Sequence, residues 1–162
     1  MPRPGRAAIS RAPWPCAVAA SSTDAATAHG QGARLIAARP GLGIDVLPRP
    51  DRSEMFRWLA KLEPSDVPLE EVLAGLGPED LRGIQTVVIA FPVWGGGERP
   101  RLEGDVRRLV RLVPRVVCVL AEPGAGGAGA VAAALTEAGA DVRRWVPDGD
   151  LAEAMSREEV RA

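Results

Sequence analysis

Three short stretches of the chain carry residue types that could do chemistry. In residues 92–97 a proline, a valine and Trp94 run into Gly95, Gly96 and Gly97, directly after the apolar run of residues 86–91. An aromatic side chain therefore stands beside backbone that has no Cβ to hold a ligand away, and glycine reaches angles that other residues avoid. Residues 121–127 repeat the arrangement: Glu122, Pro123, Gly124, Gly126 and Gly127 follow the apolar run of residues 116–120. The third stretch is a run of hydroxyls, Ser21, Ser22, Thr23 and Thr27, with Asp24 inside it. Hydroxyls and free N–H groups opening a helix form an anion site, because the unpaired donors and the helix dipole point the same way. Capping the same helix is the competing use of these side chains.

Such residues act only if secondary structure brings them together. The runs at 86–91 and 116–120 are β-branched and unbroken, the pattern of strands covered on both faces. Pro92 has no N–H and is expected to end its ladder, leaving Trp94 on a loop beyond the strand's carboxyl end, where open α/β sheets bind ligands. Residues 16–20 predict a first strand, entered through Pro13 and Pro15, and residues 28–38 a helix anchored by Leu35 and Ile36. Gly30 and Gly32 weaken that helix by roughly 1 kcal/mol each relative to Ala. Residues 44–47 alternate as a short edge strand that Pro48 and Pro50 terminate. From Ser53 the pattern is helical, with Met55, Phe56, Trp58, Leu59 and Leu62 at spacings of three and four, read as core rather than as a cofactor box. Further helices are predicted over 69–76, 102–112, 130–138 and 150–161, and a last strand over 141–146. Gly139 closes the helix before that strand. Arg107, Arg108 and Arg111 fall on a solvated face.

Strands alternating with helices predict an α/β fold with a parallel sheet and helices on both faces. The exit of the first strand lacks the G-x-G-x-x-G fingerprint, which argues against a nicotinamide dinucleotide. One domain over residues 14–162 is expected, after a disordered basic arm, residues 1–13, with Arg3, Arg6 and Arg11 and no acid. That arm has no apolar core of a signal peptide, so the cytoplasm is the expected compartment. The apolar share is 46% and the charged share 25%, with no run long enough to span a membrane. Basic residues are 19 Arg and one Lys, scattered, and the net charge is -1, so no nucleic-acid partner is expected. Cys16 and Cys118 fall in separate predicted strands and are expected to be free thiols.

Over residues 16–162 the sequence resembles the flavodoxin family. Residues 21–27 look like its phosphate loop, residues 90–96 (Ala-Phe-Pro-Val-Trp-Gly-Gly) like its loop whose aromatic lies on the flavin ring, and residues 119–127 like the loop covering the ring's other side. The resemblance implies a flavodoxin-like three-layer sandwich with a five-stranded parallel sheet in the order 2-1-3-4-5, and FMN as cofactor. It assigns the phosphate to Ser21, Ser22, Thr23, Ala25 and Thr27. The ring falls to Pro92, Val93, Trp94, Gly95, Gly96, Glu122, Gly124 and Gly126. The phosphate loop departs from the family pattern: Asp24 puts a carboxylate beside a phosphate of about two negative charges. The function implied is electron or hydride transfer, with quinone or flavin reduction as its enzymatic form, a redox partner or small-molecule acceptor, and no side chain singled out as catalytic. The alternative is a domain of the same fold that has lost FMN and serves as a binding or interaction module. Whether the chain is an enzyme stays open at this point.

Overall fold

The computed structural model describes residues 14–156, apart from residues 42, 64, 66, 94–98, 123–127 and 147–148. The expected basic arm, residues 1–13, lies outside the described residues. In chain order the elements are α1 (Trp14–Ala28), β1 (Arg34–Arg39), β2 (Gly43–Pro48), α2 (Arg52–Ala60), α3 (Leu69–Ala74), β3 (Thr86–Pro92), α4 (Pro100–Leu112), β4 (Arg115–Ala121), α5 (Ala128–Glu137), β5 (Asp141–Trp145) and α6 (Leu151–Ser156). The chain is α/β, with two separate sheets. β3, β4 and β5 form a parallel sheet in that order, and β1 and β2 form an antiparallel pair.

The parallel sheet is built where the sequence is most apolar. β4 is buried at every position after Arg115. One face of the sheet, with Ile89, Phe91, Val116, Cys118, Leu120 and Val142, packs on Leu102, Val106 and Leu109 of α4 and on Val131 and Leu135 of α5. The other face, with Ala90, Val117, Val119, Ala121 and Trp145, receives Val18 of α1 and Leu151, Ala154 and Met155 of α6. Arg108 of α4 donates to the carbonyls of Leu73 and Leu76. It thereby ties α4 to the end of α3 and the turn that follows.

The five-stranded parallel sheet in the order 2-1-3-4-5 does not form. Residues 16–20, expected as its first strand, lie in helix α1, and Leu35 and Ile36, expected as helix anchors, lie in strand β1. The run that suggested a strand is largely alanine, Ala17, Ala19 and Ala20, and Ala25, Ala26 and Ala28 follow it in α1. Alanine has the highest helix propensity, and a short apolar run has no period that separates strand from helix. Gly30, read as a weak point inside a helix, is the residue that ends one. Its φ is +71°, its N–H donates to Thr27 O at 2.9 Å, and the Gln31 N–H reaches Ala26 O at 2.9 Å. That is the paired closure of a Schellman motif. Gly139 closes α5 the same way, with φ +98° and the bonds Gly139 N–H to Thr136 O and Ala140 N–H to Leu135 O.

With α1 ended, residues 34–48 are free to fold back on themselves. Gly41 and Gly43 have φ of +72° and +73°, and the strands pair from Arg39 opposite Gly43 to Arg34 opposite Pro48. Leu35 and Leu47 of this hairpin meet Met55 and Leu59 of α2 and the Cys16, Ala19 and Ala20 side of α1. Asp51 starts α2 with a capping box, accepting from the Glu54 N–H while Glu54 accepts from the Asp51 N–H.

β3 also differs from its expected place. It is an edge strand, and Val88 is 36% exposed. Val93 N–H donates to Ala121 O and Arg115 N–H to Gln85 O, so the odd-numbered residues of β3 face β4 and the even-numbered ones face outward. Pro92 is in the outward phase. Its missing N–H removes no bond to β4, and the ladder continues past it to Val93.

Candidate functional site

Because β3, β4 and β5 are parallel, their carboxyl ends share one edge of the sheet. Pro92, Ala121 and Trp145 stand in register across it. The next residues are held together by backbone bonds, Val93 N–H to Ala121 O at 3.0 Å and Glu122 N–H to Trp145 O at 2.9 Å. Pro92, Val93 and Glu122 are thus brought side by side. Trp94, Gly95, Gly96, Gly124 and Gly126 lie outside the described residues.

The charges along this edge are paired. Glu122 Oε1 accepts from Arg144 Nε at 3.1 Å and Nη2 at 2.7 Å, so its carboxylate is neutralised by its neighbour on β5. Arg99, just before α4, reaches Glu70 of α3 at 2.8 Å and lies 5.2 Å from the centre of the Phe91 ring. It ties the start of α4 to α3 and to the end of β3. Read in sequence as one residue of a polar loop, Arg99 gave no sign of this, because its partner is 29 residues away.

The hydroxyl stretch is elsewhere. Ser21, Ser22, Thr23, Ala25 and Thr27 lie in the second half of α1, beyond its first turn, where each N–H has a carbonyl four residues back to bond. The free donors that an anion would need are at the other end of that helix. Thr27 Oγ1 donates to Thr23 O at 2.9 Å, Thr23 is buried, and Ser21 and Ala25 are exposed. The Ser22 hydroxyl oxygen is buried without a hydrogen-bond partner among the described residues. Asp24 turns to Arg52 at the start of α2, at 3.4 Å.

A second constellation went unread in the sequence. Arg39 at the end of β1, Asp45 in β2 and Trp58 in α2 meet around an open hollow of about 330 Å³ that Arg57 and Lys61 also line. Asp45 Oδ2 accepts from Trp58 Nε1 at 3.0 Å and lies 2.6 Å from Arg39 Nε, an ion pair whose N–H is not aimed along the contact. The Arg39 guanidinium stacks 5.2 Å from the Trp58 ring centre. The hydrogen bond, the ion pair and the stacking together clamp the hairpin to α2. The aromatic stripe of this helix is accordingly divided: Met55 and Leu59 are core, Trp58 serves the clamp, and Phe56 is 46% exposed beside Arg52.

Both cysteines are free. Cys16 is half-buried in α1 near Leu59, and burial raises its thiol pKa. Cys118 is buried in β4, where burial, with the charge of Asp141 adding, pushes its pKa up to about 12. Neither is an activated nucleophile. Among the described residues no group of three or more His, Cys, Asp or Glu side chains is placed to hold a metal, and no helix is long and apolar enough to cross a membrane. No protein-family model matches the chain, and no curated protein matches it.

Proposed function

We propose that the chain is a binding module that takes its ligand at the carboxyl edge of β3, β4 and β5, and that it does not hold FMN through residues 21–27. One observation carries the reading: those hydroxyls lie inside α1, with their N–H groups committed to the helix, so the phosphate of a flavin mononucleotide has no cradle there. The edge itself suits a ligand, since β3 and β4 end side by side at Pro92 and Ala121, and α4 and α5 follow them in the chain. Glu122 is neutralised by Arg144, which lowers the cost of bringing an anionic or neutral ligand to that edge.

The second reading keeps the flavin, for electron or hydride transfer to a redox partner or small acceptor. It is favoured by the register of Pro92 with Ala121, which puts the bases of the two loops assigned to the ring next to each other. In that form the flavin would supply the redox chemistry and the protein its position, with Trp94 against the ring.

Titration with FMN and with riboflavin, followed by flavin fluorescence, separates the two. The binding-module reading expects no difference between FMN and riboflavin, because the phosphate has no site. Tight FMN binding that weakens for riboflavin and is lost in Trp94→Ala would establish the second reading instead. A thermal-shift screen of small ligands then tests the edge directly. A ligand at a hundred times its Kd stabilises by about 2.7 kcal/mol, and that shift should vanish in Val93→Arg, which fills the edge.

A further inference from the structure

The outward side of β3 carries backbone groups with no partner among the described residues. Thr86, Val88 and Ala90 each turn an N–H and a C=O away from β4, Pro92 turns only a C=O, and no described residue bonds to any of them. Natural sheets blunt such edges with charged side chains, proline, bulges, very short strands or a covering helix or loop, and the one proline of β3, Pro92, stands at its end. β3 has seven residues, pairs with β4 without a bulge, and no charged residue occurs from Ile84 to Val93.

We propose that β3 pairs with β3 of a second copy of the chain, antiparallel about a two-fold axis at Val88, joining the two parallel sheets into one of six strands. Under that axis Val88 faces Val88 of the second copy, and Thr86 and Ala90 face Ala90 and Thr86. The three outward N–H groups of each copy then meet the three outward C=O groups of the other, the isologous arrangement a two-fold axis requires. The ends of the ladder also match. Pro92, which has no N–H, stands opposite Ile84, whose N–H is already given to Leu81 O at 3.0 Å. Neither residue is left with an unpaired donor where the ladder stops. The paired segment contains no charge, so the axis brings no like charges together, and the half-exposed Val88 side chains gain each other as cross-strand neighbours. A foreign strand could use the same backbone groups. The coincidence of both ladder ends under self-pairing is what favours a second copy.

Sedimentation equilibrium of the full chain over a wide concentration range, with amide exchange measured by NMR on the same samples, tests this. The expected result is association to twice the 17.0 kDa chain mass, with the Thr86, Val88 and Ala90 amides exchanging more slowly as concentration rises. Val88→Lys places two ammonium groups at the axis and should weaken the dimer about tenfold or more. Thr86→Pro removes an outward N–H without touching a bond to β4 and should weaken it as well. A monomer at every concentration overturns the proposal. So does a dimer in which those three amides gain no protection, a result read on the unmodified chain whether or not the variants fold.

Discussion

The two halves of this molecule are built on opposite principles. From Thr86 to Trp145 the chain is two strand-helix-strand units around β4, a strand buried on both faces by large side chains. From Trp14 to Ala60 it is an alanine-rich helix, a two-stranded hairpin and α2, held by a small cluster around Leu35, Met55 and Leu59 and by polar clamps such as Asp45 with Trp58. A two-stranded sheet is not stable alone and depends on what it packs against. The first half is thus specified by its own apolar pattern, and the second by contacts and glycines.

That difference is largest in the response to cavities. Leu120→Ala, at a fully buried site between two layers, should cost about 2–5 kcal/mol and lower the whole denaturation curve. Leu35→Ala, at the hairpin's small cluster, should fall toward the lower end of that range and leave the unfolding of β4 less affected. Equal losses measured by urea denaturation would break the comparison.

A polar feature of the stronger half comes next. Asp141 is pushed up by burial, but hydrogen bonds and charge from Arg115 and Arg143 outweigh this and its pKa is lowered. Its contribution is therefore fully present above the unfolded carboxylate value, near pH 4, and is lost as pH falls through the depressed folded value. Arg143 is only 4% exposed and has no other acid partner among the described residues. Asp141→Asn should cost about 1–3 kcal/mol at neutral pH and flatten the acid limb of the stability curve. An unchanged acid limb would mean that Asp141 is not the titrating group.

Helix closure gives a closely matched pair. Gly139→Ala and Gly30→Ala each force alanine into left-handed backbone at about 1–2 kcal/mol. At Gly139 a Cβ would also meet Val110 Cγ1 at 3.1 Å, whereas at Gly30 it meets nothing within 4 Å. Gly139→Ala should be the more destabilising by thermal melting, and a Gly30→Ala that stabilises the protein would mean that α1 does not end at Gly30. The smallest energetic effect has the clearest kinetic readout. A disulfide reagent at pH 8 should modify Cys16 well before Cys118, whose thiol is buried and raised to about 12 and so reacts only when the sheet opens.

The same contrast decides what could be read from the sequence. β3, α4, β4, α5 and β5 follow from long β-branched runs and from Val106 and Leu109 at helical spacing, where burial and pattern agree. The ladder phase of Pro92 did not follow, because whether a strand lies at an edge depends on its neighbours. In the other half, residues 16–20 are small and apolar enough for either structure, and Gly30 could be an interior flaw or a cap. Placing a strand at 16–20 turns Ser21 to Thr27 into a loop at a helix start, and the phosphate assignment that the resemblance implies needs that loop. Of the assigned ring contacts, Pro92, Val93 and Glu122 come together because they follow the well-specified strands. Arg99 with Glu70 was hidden because 29 residues separate them, and Arg39 with Asp45 and Trp58 because residues 34–38 read as the end of a helix and not as the strand paired with β2.

Backbone NMR assignment of residues 14–48 tests the central claim most directly, through the 13Cα secondary shifts. Helical shifts from 16 to 28 followed by strand shifts from 34 to 39 and 43 to 48 are the predicted result. Strand shifts at 16–20 with helical shifts at 28–38 would contradict it, and would return residues 21–27 to a loop at the start of a helix, where a phosphate could bind.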